Sequence, residues 1–65
     1  MDEMMSVETM QLTKAVEKGN TVKIITINGF QMMGEIIDFD SNVVLAKVAG
    51  RVKMVYRHAI STIEL

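Results

Sequence analysis

The apolar positions of this chain change period near residue 20. Val7, Leu12, Ala15 and Val16 form a narrow stripe at helical spacing on an otherwise polar segment. Ser6 stands ahead of the stripe as a candidate N-cap, and Glu8 in the first turn complements the helix dipole. Gly19-Asn20 supplies the stop, so the spacing predicts one short helix over residues 7–18. From Thr21 onward β-branched residues dominate, and residues 21–27 read as a first strand. Asn28-Gly29 then lies between two apolar runs, the strongest short hairpin signal. Residues 30–39 read as a long second strand, and Gly34 at its middle predicts a bend or bulge. Asp40-Ser41 turns the chain into a third strand over residues 42–48. Ala49-Gly50 turns it again, and residues 51–56 and 59–63 form a fourth strand and a short fifth.

One helix followed by about five short, bent antiparallel strands is a mainly β fold, a small open barrel. The strand pattern alone allows SH3-like and OB-like barrels among others. An open barrel leaves edges. Residues 52–56 and 59–63 are apolar, short and free of Pro, and unprotected edges of that kind aggregate. Pairing the fourth strand of one copy with the fifth of the next satisfies both edges and generates a cyclic ring through a heterologous contact.

Sixty-five residues make one domain, with residues 1–6 expected as a flexible leader and 7–65 as the folded unit. Hydrophobic residues make up 49% of the chain and cysteines are absent, so no disulfide framework supports it and oligomerisation becomes a natural source of stability. No apolar stretch approaches the roughly 18–20 residues of a membrane-spanning helix, and no membrane association is expected. Met1-Asp2-Glu3 lacks the basic start of a signal peptide, which points to a cytoplasmic location.

A net charge of -1 does not advertise a nucleic-acid binder, but its distribution is uneven. Residues 41–63 hold Lys47, Arg51, Lys53 and Arg57 with no acid among them, whereas most of the acids precede residue 41. Lys47 fits a solvated strand face as well as a functional one. Catalysis finds little support. There is one histidine, no cysteine, and no His-Glu-x-x-His or Walker loop. Asp38 and Asp40 face the same way along a strand end, yet Asp40 is better read as stabilising the turn at Ser41 and Asp38 as solvated. No catalytic residue, metal site or cofactor is assigned. The methionines Met32, Met33 and Met54 read as core or interface filler, with an adaptable protein-binding surface as the alternative.

The chemistry concentrates at the end of the fourth strand. An apolar run ends in Arg57-His58 and a second begins at once, with no Gly, Pro or Asn between them. The chain must turn sharply there, placing a guanidinium and an imidazole at an exposed corner. Arg donates in a planar fork and His can donate, accept or stack, a combination suited to phosphate and base edges.

Tyr56-Arg57-His58-Ala59-Ile60-Ser61-Thr62 resembles the signature of the bacterial Hfq family of Sm-like RNA chaperones, usually read with Lys in place of Arg57. Asn28-Gly29, Gly34, Ile36, Phe39 and Asp40 resemble a second segment of that family, and the likeness runs over about residues 7–63. The resemblance implies an Sm-like fold, a homohexameric ring, and non-catalytic binding of single-stranded RNA in post-transcriptional regulation through small RNAs and messenger RNA. On the face that binds uridine-rich strands around the central opening, it implies Ser41, Asn42, Tyr56, Arg57 and His58. Tyr56 there fits bracing of the subunit interface better than base stacking. On the opposite face, which takes adenine-rich strands, it implies Ile25, Gly29, Phe30, Gln31, Met33, Lys53 and Thr62, with Met32 beside them. Phe30 fits base stacking and hairpin packing equally.

Three departures from the family pattern stand out. Asn42 replaces an aromatic residue, which forfeits roughly 1–3 kcal/mol of stacking per base. Glu8 replaces a glutamine that contacts the base, and its carboxylate repels phosphate; Gln11, one helical turn later, is a substitute. Ala15-Val16-Glu17-Lys18-Gly19 lacks the family's rim arginines. These departures favour a rival reading: the same ring acting as a scaffold for a protein partner, with weak or no RNA binding.

Overall fold

The computed structural model describes residues 6–65. The leader expected over residues 1–6 therefore lies outside the described residues except for Ser6. The Ser6 hydroxyl accepts from the Thr9 amide at 3.1 Å and opens helix α1 (Val7–Lys18). Gly19 closes it in the left-handed conformation, its N–H donating to the Ala15 carbonyl at 3.1 Å. Leu12 and Ala15 are buried and Val16 packs against the core. Val7 does not belong to that stripe and is exposed. At about 100° per residue it points roughly 140° around the helix from Leu12.

Five strands follow: β1 (Thr21–Thr26), β2 (Gln31–Phe39), β3 (Val43–Val48), β4 (Arg51–Tyr56) and β5 (Ile60–Glu64). A 3-10 turn, Arg57–Ala59, joins the last two. Every pairing is antiparallel and the sheet order is β4-β3-β2-β1-β5. The consecutive strands β4 and β5 thus occupy the two opposite edges of the bent sheet. The core is formed by Val22, Ile24, Ile36, Val44 and Ala46 of the sheet, together with Leu12 and Ala15 of the helix. Among the described residues no helix is long and apolar enough to cross a membrane.

The β1–β2 connection is wider than a two-residue hairpin. Gly29 N–H donates to the Thr26 carbonyl at 2.9 Å and Thr26 N–H to the Phe30 carbonyl at 2.8 Å. Gly29 is left-handed at φ 87°, whereas Asn28 is not. The turn therefore runs through Ile27-Asn28 and is completed by Gly29, the geometry of a three-residue loop. Phe30, expected in the strand, closes this loop opposite Thr26, one residue before β2 begins. The β3–β4 turn is the tighter one, with Ala49 and Gly50 both left-handed and Val48 directly opposite Arg51.

Gly34 marks a close approach, and of the bend or bulge expected there the bulge lies elsewhere. A Cβ at this position would lie 2.7 Å from Val48 Cγ2 and 2.8 Å from the Lys47 carbonyl oxygen. The bulge falls at Ile37, where the register passes from Ile36↔Ala46 to Asp38↔Leu45. Its physical reason is side-chain alternation. Ile36 is fully buried and Phe39 also packs against the core. A regular two-residue period would put those two side chains on opposite faces, and one extra residue puts them on the same face.

Candidate nucleic-acid interface

Two connections build the corner containing Arg57. The first is the turn between β2 and β3. Asp40 Oδ1 accepts from the Asn42 N–H at 2.8 Å and the Val43 N–H at 2.9 Å, which holds Ser41 and Asn42 in an exposed loop. These two backbone hydrogen bonds, helped by the nearby Arg57 charge and opposed by slight desolvation, keep the Asp40 carboxyl below its ordinary range. The second connection is the 3-10 turn after β4. Its first residue docks on the first turn, Arg57 N–H donating to the Asn42 carbonyl at 2.8 Å. Ser41, Asn42, Arg57 and His58 are thereby fixed at one end of the sheet. Tyr56 and His58 stack, with ring centroids 5.7 Å apart and planes 28° from parallel.

The corner forms where the sequence places it, but the guanidinium is not the free group expected. Arg57 Nη2 lies 2.7 Å from Glu8 Oε1 in the first turn of α1. Nη1 donates to the Asp40 carbonyl at 2.5 Å, and the guanidinium carbon sits 5.8 Å from the centre of the Phe39 ring. Only 14% of the Arg57 side chain remains exposed, against 64% for Glu8. His58, Ser41 and Asn42 carry the accessible polar surface of the corner. Glu8, expected to complement the helix dipole and to repel phosphate, also holds Arg57, and Phe39 and the Asp40 carbonyl support the guanidinium with it. The Phe39-Asp40 pair was visible as part of the second motif. Its contact with Arg57 depends on tertiary packing.

The second set of candidate residues divides. Ile25 stands directly between Gln31 on β2 and Thr62 on β5, so these three share one face. Met33 follows on the same face by alternation and is exposed. Gly29 and Phe30 lie at the end of this row. Phe30 is 61% exposed and is not part of the core. With Thr26, Ile27, Asn28 and Ala59 it lines a shallow apolar depression. Met32 is opposite the fully buried Ile24 and faces the core, so it does not share the row. Lys53 is not brought to the row within one chain. It lies on β4 at the far edge, in register with Ala46 and through it with Ile36. Met33 and Met54 are exposed and so are not core filler, whereas Met32 is packed against the core.

A helix laid on a strongly bent five-stranded sheet, with β4 and β5 as its edges and the 3-10 turn between them, defines an Sm-like domain. A crystal structure of the pleiotropic translational regulator Hfq is similar at a TM-score of 0.89 and 32% identity, over 92% of this chain and 100% of that one. The family model described as "Hfq protein" matches residues 7–65. The RNA-binding protein Hfq of Bacillus velezensis is 40% identical over 53 residues, covering 80% of this chain and 73% of that protein. The RNA-binding protein Hfq of Geobacillus kaustophilus is 37% identical over 57 residues, covering 88% and 76%. The chain belongs to the Hfq family.

Proposed function

We propose that this protein is an RNA chaperone that binds single-stranded RNA without catalysis, acting in the cytoplasm as a homohexameric ring. Its role is post-transcriptional regulation through small RNAs and messenger RNA. The observation that carries the reading is the docked corner. One hydrogen bond, Arg57 N–H to the Asn42 carbonyl, joins two separate loops so that Ser41, Asn42 and His58 are presented together. In a ring each copy contributes one such corner to the central opening, and repetition supplies avidity beyond any single site. Uridine-rich strands are assigned to that face, with Tyr56 as a brace for His58 and Arg57 as the source of positive charge.

Adenine-rich strands are assigned to the face bearing Ile25, Gln31, Met33 and Thr62, with Phe30 and Gly29 at its end. Pairing of β4 with the β5 of a neighbour carries Lys53 toward that neighbour's row. The exposed, aromatic Phe30 supports base stacking. Fluorescence anisotropy with uridine and adenine oligomers at several salt concentrations tests the assignment. Phosphate-driven binding weakens steeply as salt rises. Phe30→Ala is expected to weaken adenine oligomers and leave uridine oligomers unchanged. Absence of binding to either oligomer at low salt would transfer the ring to the scaffold reading, with a protein partner on the Phe30 face.

A further inference from the structure

We propose that Glu8 is a built-in competitor for RNA phosphate at the Arg57 corner, so that this face is latched shut until Glu8 is displaced. The proposal deepens the RNA reading of that corner and rests on it. Glu8 Oε1 occupies one side of the guanidinium at 2.7 Å, the Asp40 carbonyl another at 2.5 Å, and Phe39 lies against it. An arginine recognises phosphate through its planar fork of N–H donors, and here the fork is already engaged. The surrounding charge points the same way. The Glu8 carboxylate is paired with the guanidinium and the Asp40 carboxylate lies near enough to sense its charge, so much of that charge is offset before an anion arrives.

The latch has a hinged side and a fixed side. Glu8 is mostly exposed, on the first turn of α1, and its side chain can swing into solvent. Arg57 is held from behind by the Asp40 carbonyl and by its own backbone bond to Asn42. A backbone phosphate therefore takes the place of the carboxylate while the guanidinium stays where it is. The site's apparent affinity is the intrinsic affinity reduced by the fraction of corners in which Glu8 has swung away. An open fraction of about one tenth makes binding about tenfold weaker than the unlatched corner gives. Repeated around a ring, the same device sets a threshold: strands long enough to engage several corners open them, and short ones do not.

Glu8→Gln keeps the shape and removes the charge, and Glu8→Ala, which offers no amide to a base, must show a gain of the same size if the charge is what matters. Uridine oligomers should bind about tenfold tighter to Glu8→Gln than to the wild type, with a steeper dependence on salt, and adenine oligomers should bind equally to both. In an Arg57→Ala background the same change should alter uridine binding less than about twofold. An equal gain with and without Arg57 would mean simple relief of repulsion and would overturn the latch while leaving the RNA reading intact. No gain from Glu8→Gln, with uridine binding that still depends on Arg57, overturns it too. Should no variant bind either oligomer, the RNA reading falls and the latch with it. Hydrogen exchange at the Arg57 Nη2 protons, which face Glu8, followed by NMR on RNA-free protein, decides the matter if Arg57→Ala does not fold. Exchange should speed up in Glu8→Gln, and an unchanged rate overturns the latch.

Discussion

The guanidinium of Arg57 touches Glu8, Asp40 and Phe39 at once, so truncating it removes structural contacts along with charge. Arg57→Ala is expected to destabilise the fold by about 1.5–3 kcal/mol, the range for hydrogen bonds to charged groups. Urea unfolding measures this, and a loss below about 0.5 kcal/mol would show that the corner holds without the side chain. Asp40 gives a second residue-level prediction through pH. Its folded-state pKa is depressed by the Asn42 and Val43 amides. A depressed carboxylate contributes stability above its unfolded value and loses that contribution as pH falls through the folded one. Thermal melts should therefore show wild-type stability declining on the acid side of pH 4, roughly, and Asp40→Asn should flatten that decline. An unchanged acid limb in Asp40→Asn would remove Asp40 from the explanation. The turn role of Asp40 was legible in the sequence because it acts two and three residues along the chain. The Glu8–Arg57 pair was not, because a helix start and a strand end meet only through the fold.

Elements with local signals are legible in the sequence. The helix matched its predicted span because both its cap residues lie in the sequence beside it, and the Ala49-Gly50 turn matched for the same reason. Strand register was less accessible. The bulge at Ile37 exists so that Ile36 and Phe39 can both reach the core, a requirement set by β3 and invisible in β2 alone. Gly34 stands out in the strand pattern, but what demands a residue without a Cβ is the Lys47 backbone and the Val48 side chain close against it. Gly34→Ala should therefore force strand β3 away from β2, at a cost of about 1–3 kcal/mol by overpacking. Chemical denaturation reads the loss. Retained stability with an unchanged unfolding slope would mean that the two strands separate more easily than their packing suggests.

At the scale of the molecule the sheet ends decide what the chain does. A domain of about 60 residues buries only about 60% of its unfolded surface, which leaves a single copy poorly supported. Val52, Met54 and Tyr56 on edge strand β4 are 59%, 56% and 51% exposed, an apolar seam that a neighbouring copy would cover. The backbone donors alternate along that strand. Arg57 N–H reaches the Asn42 carbonyl, so the amides of residues 51, 53 and 55 face β3, and those of Val52, Met54 and Tyr56 face the open edge. Proline tolerates a position whose N–H points away from its own sheet, and disrupts one whose N–H is in the ladder. Met54→Pro should therefore keep the fold and lose the ring, whereas Val55→Pro should lose both. Light scattering at low micromolar concentration should give many times the monomer mass for the wild type and far less for Met54→Pro. Circular dichroism should show Met54→Pro still folded. A wild type that is a well-folded monomer, or a Met54→Pro variant that still assembles fully, would take the β4 edge out of the assembly. The corners built around Arg57 would then act singly, without the shared opening on which the uridine assignment depends.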